Sequence, residues 1–162
     1  KNKFILYLLL LVSLFYIFLF ILLILEFFLI NSAEQKIIFY LIITICISTD
    51  IGGYVFGKIL KGKKLTKISP NKTYSGLFGS YISSTTLCVL FYDKFFSYQM
   101  IILTCVLIST ISQLGDLFFS YLKRKAKIKD TSNILPGHGG VLDRLDGMIF
   151  AIPFGMLLYK LL

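Results

Sequence analysis

Apolar residues run along this chain in five long blocks, separated by short segments that hold most of its lysines. The first block extends from Phe4 to Ile30, interrupted only by Ser13, the tyrosines and Glu26. The others lie at about 37–57, 75–92, 98–119 and 141–161. A hydrocarbon layer roughly 30 Å thick is crossed by about 20 helical residues, so each block predicts a transmembrane helix. A helix reaching Ile30 would be roughly 40 Å long at 1.5 Å per residue. The first span is therefore expected to tilt, or to end near Glu26 (residues 4–26) with an interfacial tail. It is far longer than the 7–15 apolar residues of a typical signal peptide, although Lys1 and Lys3 supply a basic start. The chain begins at Lys1 rather than Met, as a fragment would.

Composition agrees with the block pattern. Of the 162 residues, 57% are hydrophobic and only 15% are Asp, Glu, Lys or Arg. Soluble domains carry about 25% charged residues. A soluble monomer of this size could not bury so much apolar surface, and a disordered chain would not contain it. The expected fold class is an all-α integral membrane protein, with residues 1–162 forming one membrane domain. Cys46, Cys88 and Cys105 lie far apart in apolar runs and read as small core residues.

The charges that remain are lopsided: 17 Lys plus Arg against 8 acids, a net +9. In a soluble protein this balance suggests nucleic acid, but in a membrane protein it marks loops on the cytoplasmic side, so no nucleic-acid partner is expected. One basic loop holds Lys58, Lys61, Lys63, Lys64, Lys67 and Lys72. The other holds Lys123, Arg124, Lys125, Lys127 and Lys129. Two spans separate them, so they share a membrane face with Lys1 and Lys3. The opposite face has Lys36, Lys94 and Lys160, offset by Glu26, Glu34 and Asp93. Five spans with the amino terminus inside follow. Lys61, Lys63, Lys64, Lys125 and Lys127 read as contacts to anionic membrane lipids.

Four acids stand where hydropathy says none should. Asp50 lies within the second block, Asp116 near the end of the fourth, and Asp143 and Asp146 at the start of the fifth. An Asp at a helix centre costs about 2.5–3.5 kcal/mol on insertion scales, so each needs a partner or a watery cavity. Asp143 and Asp146 are i and i+3 on a helix and share one face. Two anions so close repel unless a cation lies between them. Hard oxygen ligands suit Mg²⁺, which also takes water and substrate phosphates. The single His138 and the dispersed cysteines argue against zinc. Phosphate-binding chemistry lies alongside. Pro136–Gly140 reads P-G-H-G-G directly before the fifth helix, and Ser69–Thr73 reads S-P-N-K-T before the third. Glycine backbone and helix amino termini both favour anions.

The segment 120–146 reads S-Y-L-K-R-K-A-K-I-K-D-T-S-N-I-L-P-G-H-G-G-V-L-D-R-L-D. It resembles the signature of the phosphatidate cytidylyltransferase (CDP-diacylglycerol synthase) family, with no mismatch at the fixed positions. The upstream pieces D-I-G-G-Y-V-F-G-K, S-P-N-K-T-Y-S-G and Q-L-G-D are similar to the family in the same order. The resemblance implies a multi-pass enzyme of phospholipid biosynthesis in a bacterial inner membrane, its active site facing the cytoplasm. It converts CTP and phosphatidate into CDP-diacylglycerol and pyrophosphate. Catalysis is then expected from Asp116, Asp143, Asp146, Lys123 and Arg124, with Mg²⁺, and a second cation if there is one, on the three acids. Ser69, Asn71, Lys72, Lys129, Asp130, His138, Gly139, Gly140 and Arg144 are expected to bind substrate. Asp50 is expected in the same polar cavity.

Small residues recur at helix-contact spacing: Gly53 and Gly57; Gly76, Ser80 and Ser84; Thr44 and Ser48. They predict close helix contacts within the chain, while the resemblance implies a homodimer. Two alternatives stay open. One is a sibling cytidylyltransferase or kinase acting on an isoprenoid-type lipid. The other is a non-enzymatic ion transporter, which predicts polar residues through a whole helix rather than acids gathered at one end. The pattern D-G-x-x-A-R of CDP-alcohol phosphotransferases is absent, since Asp146-Gly147 continues into M-I-F-A.

Overall fold

The computed structural model describes residues 3–30, 32–66, 69, 71–132 and 140–161. Within them lie five α-helices: α1 (Lys3–Ile30), α2 (Ala33–Leu60), α3 (Tyr74–Tyr92), α4 (Tyr98–Lys125) and α5 (Leu142–Leu161). Each of the five apolar blocks is helical. The starts of α2, α3 and α4 follow from local chemistry. Ser32, Thr73 and Ser97 precede them and accept hydrogen bonds from the backbone N–H of Gln35, Gly76 and Met100. Such capping satisfies donors that a helix start leaves without a partner. Two helices outrun their apolar blocks, α2 to Leu60 and α4 to Lys125. Leu, Lys and Arg are good helix formers. Lys58 in the last turn of α2, and Lys123, Arg124 and Lys125 in that of α4, also face the negative end of the helix dipole.

The chain divides into two compact units, Lys1–Ile38 and Phe39–Leu162. The first contains α1 and the opening turn of α2. The second contains the rest of α2 together with α3, α4 and α5.

This second unit mixes small polar residues with a few isoleucines, such as Ile42, Ile45, Ile101 and Ile108, in its interior and has an apolar exterior. Ser48, Thr49, Ser80, Ser84, Ser109 and Ser112 are buried, as are the three cysteines, all with free thiols. Ile51, Phe78, Ile82, Leu90, Leu103 and Phe118 are exposed. Water-soluble proteins bury such residues, whereas lipid-facing bundles expose them and bring small residues together at helix contacts. Both α2 and α4 are long and apolar enough to cross a membrane. The architecture is therefore all-α and of membrane-protein type.

Close approach of the helices depends on missing side chains. A Cβ on Gly76 of α3 would stand 2.6 Å from the Gly53 carbonyl oxygen of α2. One on Gly147 of α5 would stand 2.7 Å from Ser112 Oγ and 2.9 Å from the Ser112 carbonyl oxygen of α4. The stripes containing Gly53 and Gly76 are thus used for contacts inside the chain, as their spacing predicts. Hydroxyl groups bond across two further seams, α2 to α4 and α3 to α4. Thr49 Oγ1 donates to Ser109 Oγ at 2.9 Å, and Tyr81 OH and Thr110 Oγ1 are 2.9 Å apart.

Gly147→Ala should therefore lower stability by about 1–3 kcal/mol, because a backbone carbonyl cannot move aside cheaply. Gly53→Ala is the control, since its Cβ would meet Ser80 Oγ at an ordinary 3.7 Å. It should change stability by less than about 1 kcal/mol. Thermal unfolding in detergent micelles measures both.

Candidate active site

Three connections bring the chemistry-bearing residues to one end of the bundle in the second unit. The first joins α2 to α3. Leu65 N–H donates to the Lys72 carbonyl at 2.7 Å and Tyr74 N–H to the Lys63 carbonyl at 3.0 Å, so the segment doubles back on itself. Lys72 is thereby held over the helices, where its Nζ pairs with Asp116 Oδ2 of α4. Ser120 Oγ donates to the other Asp116 oxygen, Oδ1, at 3.4 Å.

The second connection ends α4. Lys127 takes a left-handed conformation with φ 60°. Its N–H donates to the Arg124 carbonyl, and that of Ile128 to the Lys123 carbonyl, both at 3.0 Å. This paired pattern terminates a helix and turns the chain sharply. The turn returns Thr131 toward α5.

The third opens α5 and centres on Asp143. Its Oδ2 accepts from Thr131 N–H at 2.8 Å, Thr131 Oγ1 at 3.0 Å and Gly140 N–H at 2.9 Å. Its Oδ1 accepts from Lys123 Nζ at 2.9 Å. The bond from Gly140 is the side-chain half of a capping box. A Cβ on Gly140 would collide with Thr131 Oγ1, so glycine is required there by the chain's own return. Lys123 also lies 3.5 Å from Asp146 Oδ2, and so links α4 to both acids of α5. Asp146 itself is buried, and its Oδ1 accepts from Gly147 N–H at 2.9 Å.

Between these connections lies a cavity of about 490 Å³. Among its lining residues are Ser69, Asn71, Lys72, Asp116, Asp143, Arg144 and Asp146, all expected from the sequence to work together. Asp50 lines it too, from α2. Lys123 reaches the same acids through its ion pairs. Arg124 is exposed, and its Nη1 donates to the Ile128 carbonyl at 3.3 Å. Lys129 and Asp130 are exposed and are not among the lining residues. His138 and Gly139 lie outside the described residues. Thr131 had no signal in the sequence, because a lone Thr in a loop matches no motif. Gln113, which also lines the cavity, is the first residue of the Q-L-G-D motif.

A model of the cytidylyltransferase family matches residues 1–162. The chain belongs to the cytidylyltransferase family. It is 44% identical over 121 residues to the phosphatidate cytidylyltransferase of Bacillus subtilis, covering 72% of this chain and 45% of the relative. The phosphatidate cytidylyltransferase of Rickettsia typhi is 41% identical over 145 residues, 82% of this chain and 63% of the relative. That of Helicobacter pylori is 42% identical over 123 residues, 74% and 46% respectively. The chain thus spans about half the length of the curated relatives it matches.

Thr131→Val removes one donor from Asp143 and leaves the Thr131 backbone bond in place. It should destabilise the protein by about 1–2 kcal/mol. Trypsin should then cut faster after Lys127 and Lys129, as followed by mass spectrometry of the fragments.

Proposed function

We propose that the chain carries the catalytic part of a CTP:phosphatidate cytidylyltransferase, which makes CDP-diacylglycerol and pyrophosphate. The observation that carries this reading is the cavity itself. It brings Ser69, Asn71 and Lys72 of one loop, Asp116 of α4, and Asp143, Arg144 and Asp146 of α5 to one place. These are residues of the three segments whose order and spacing resemble the family signature.

The proposed chemistry needs positioning more than it needs a strong base. A phosphate monoester has its second pKa near 6, so phosphatidate is already a nucleophile at pH 7. One of its oxygens attacks the α-phosphorus of CTP, the bond to the β-phosphate bridging oxygen breaks, and pyrophosphate leaves. The difficulty is to bring two polyanions into line, which cations and fixed geometry accomplish. Lys72, Lys123 and Arg144 are the cations at the cavity for this task. Lys129, Arg124 and the P-G-H-G-G segment with His138 and Gly139 complete the proposed phosphate-binding set.

The donor set fits a hard divalent cation. Asp116, Asp143 and Asp146 are carboxylates on one cavity, and Lys72 and Lys123 pair with them there. Among the described residues no three acidic, His or Cys side chains could enclose a metal by themselves. Mg²⁺ usually completes its shell with water and substrate phosphates, so this arrangement suits it. When bound, Mg²⁺ would neutralise the triphosphate and the developing pyrophosphate charge.

Five membrane spans are proposed, with the basic loops and the cavity on the cytoplasmic side of a bacterial inner membrane. Phosphatidate then enters sideways from the lipid with its headgroup at the interface. A homodimer would use a face other than the contacts made by Gly53, Gly76 and Gly147, which lie within the chain.

Full-length protein incubated with labelled CTP, phosphatidate and Mg²⁺ should give a lipid-soluble cytidine product, and chelation of Mg²⁺ should stop it. Absence of that product from folded protein would refute the assignment. Asp116→Asn should lower turnover by about 100-fold or more, the scale seen when a preorganised charged group is removed from an active site. Lys125→Ala should leave turnover within about threefold, since Lys125 is exposed and lies over the Tyr121 ring at 5.9 Å.

A further inference from the structure

Of the four carboxylates on the cavity, Asp50 differs from the rest. Asp116, Asp143 and Asp146 each accept a hydrogen bond or pair with a lysine. No described residue donates a hydrogen bond to Asp50 or forms an ion pair with it. The like charges of Asp116 and Asp146 act on it more strongly than the opposite charges of Lys72 and Arg144. Its side chain is open to the cavity. A carboxylate placed in this way repels phosphate and calls for a ligand group that donates hydrogen bonds.

The walls around Asp50 describe the rest of that ligand. Gly53 and Gly76 present bare backbone, while Tyr54, Leu65 and Leu77 add flat or apolar surface. Beside them are neutral hydrogen-bonding groups fixed by a short relay, in which Thr49 Oγ1 donates to Ser109 Oγ at 2.9 Å and Gln113 Nε2 to the same oxygen at 3.2 Å. The lysines are engaged by the other acids, Lys72 by Asp116 and Lys123 by Asp143 and Asp146. A slot with apolar walls and a few convergent polar groups suits a planar ring. A nucleoside triphosphate bound here would place its phosphates at the lysines and its base at Asp50.

We infer that Asp50 reads the base of the nucleotide, accepting a hydrogen bond from the exocyclic amino group of cytosine. This rests on the cytidylyl-transfer reading above and adds a determinant of nucleotide choice to it. Cytosine carries an amino donor at the position where uracil carries a carbonyl acceptor, and a carboxylate is the side chain that accepts from the former. The same oxygen pair repels the uracil carbonyl, so one residue both selects CTP and rejects UTP.

The test is equilibrium binding of CTP and UTP to the purified full-length protein in micelles, without phosphatidate. Asp50→Asn should reduce the preference for CTP over UTP by at least about tenfold, because the amide donates to the uracil carbonyl. Asp50→Glu, which keeps the acceptor, should retain the preference even if it binds more weakly. Wild-type protein should also bind a CTP analogue lacking the 4-amino group at least about tenfold more weakly than CTP, a measurement that needs no variant to fold. An unchanged CTP-to-UTP ratio in Asp50→Asn would overturn the inference. So would equal binding of the analogue, or an altered CTP-to-dCTP ratio with base selectivity intact, which would assign Asp50 to the ribose. Wild-type protein that forms no cytidine lipid would instead refute the proposed reaction, so the two failures are distinguishable.

Discussion

The Asp143 carboxylate is the contact on which the arrangement of the polar end depends. Its two oxygens take four donors from three separate stretches: Lys123 at the end of α4, Thr131 after the turn, and Gly140 at the threshold of α5. No apolar cluster could do this work, because the loops leaving a membrane-type bundle contain too little apolar surface to bury. Charge-assisted hydrogen bonds are roughly twice as strong as neutral ones, so a few of them can hold a segment that hydrophobicity cannot. Lys123 then extends the linkage to Asp146. One basic residue therefore sets the spacing of two acids that would otherwise repel each other.

The bundle beneath it makes this convergence possible. Carboxylates on three helices can face one cavity only if the helices come close, and bulky residues at the seams would hold them apart. Gly147 against Ser112, and Gly76 against Gly53, remove that obstacle. The large apolar residues lie on the outside instead, among them Ile51, Phe78 and Phe118. Contact geometry and lipid exposure thus follow from one distribution of side chains, with small residues at the helix contacts beside a few buried isoleucines, and most large apolar residues outward.

Much of this was legible in the sequence, for specific reasons. Long apolar blocks have one stable backbone solution in lipid, so the five helices followed from them directly. Asp50, Asp116, Asp143 and Asp146 stood out because each is costly where it lies, which marks a site. Helix ends were harder to place, since Lys and Arg extend α2 and α4 beyond the apolar blocks. Thr131 was invisible because its role comes from a turn made by Lys127 in a left-handed conformation, which lysine seldom adopts. Gly140 was expected to bring backbone close to substrate, whereas its N–H goes to Asp143 and a chain neighbour closes on its α-carbon. That the approaching group is Thr131 depends on the path of the chain and not on local pattern. Arg124, Lys129 and Asp130 lie within the signature segment but outside the cavity lining, because spacing along a chain does not say which way a loop turns.

Charge at the cavity links its geometry to the proposed chemistry. Asp50, Asp116, Asp143 and Asp146 face it, and the cations associated with them are Lys72, Lys123 and Arg144. The acids outnumber these bases by one, four against three. A triphosphate approaching such a cavity alone meets little net attraction, and a second polyanion meets less. The lysines cannot serve both the acids and the phosphates without leaving one set uncompensated. On the proposed reading, a bound divalent cation would supply the positive charge that the carboxylates and phosphates share. Asp116, Asp143 and Asp146 would hold it, and Lys72 and Lys123 would then be available to phosphate oxygens. On the inference drawn above, Asp50, which pairs with neither lysine, would serve the uncharged end of the nucleotide. On this reading the residues that pair with one another would serve the phosphates, and the one acid left over would serve the base.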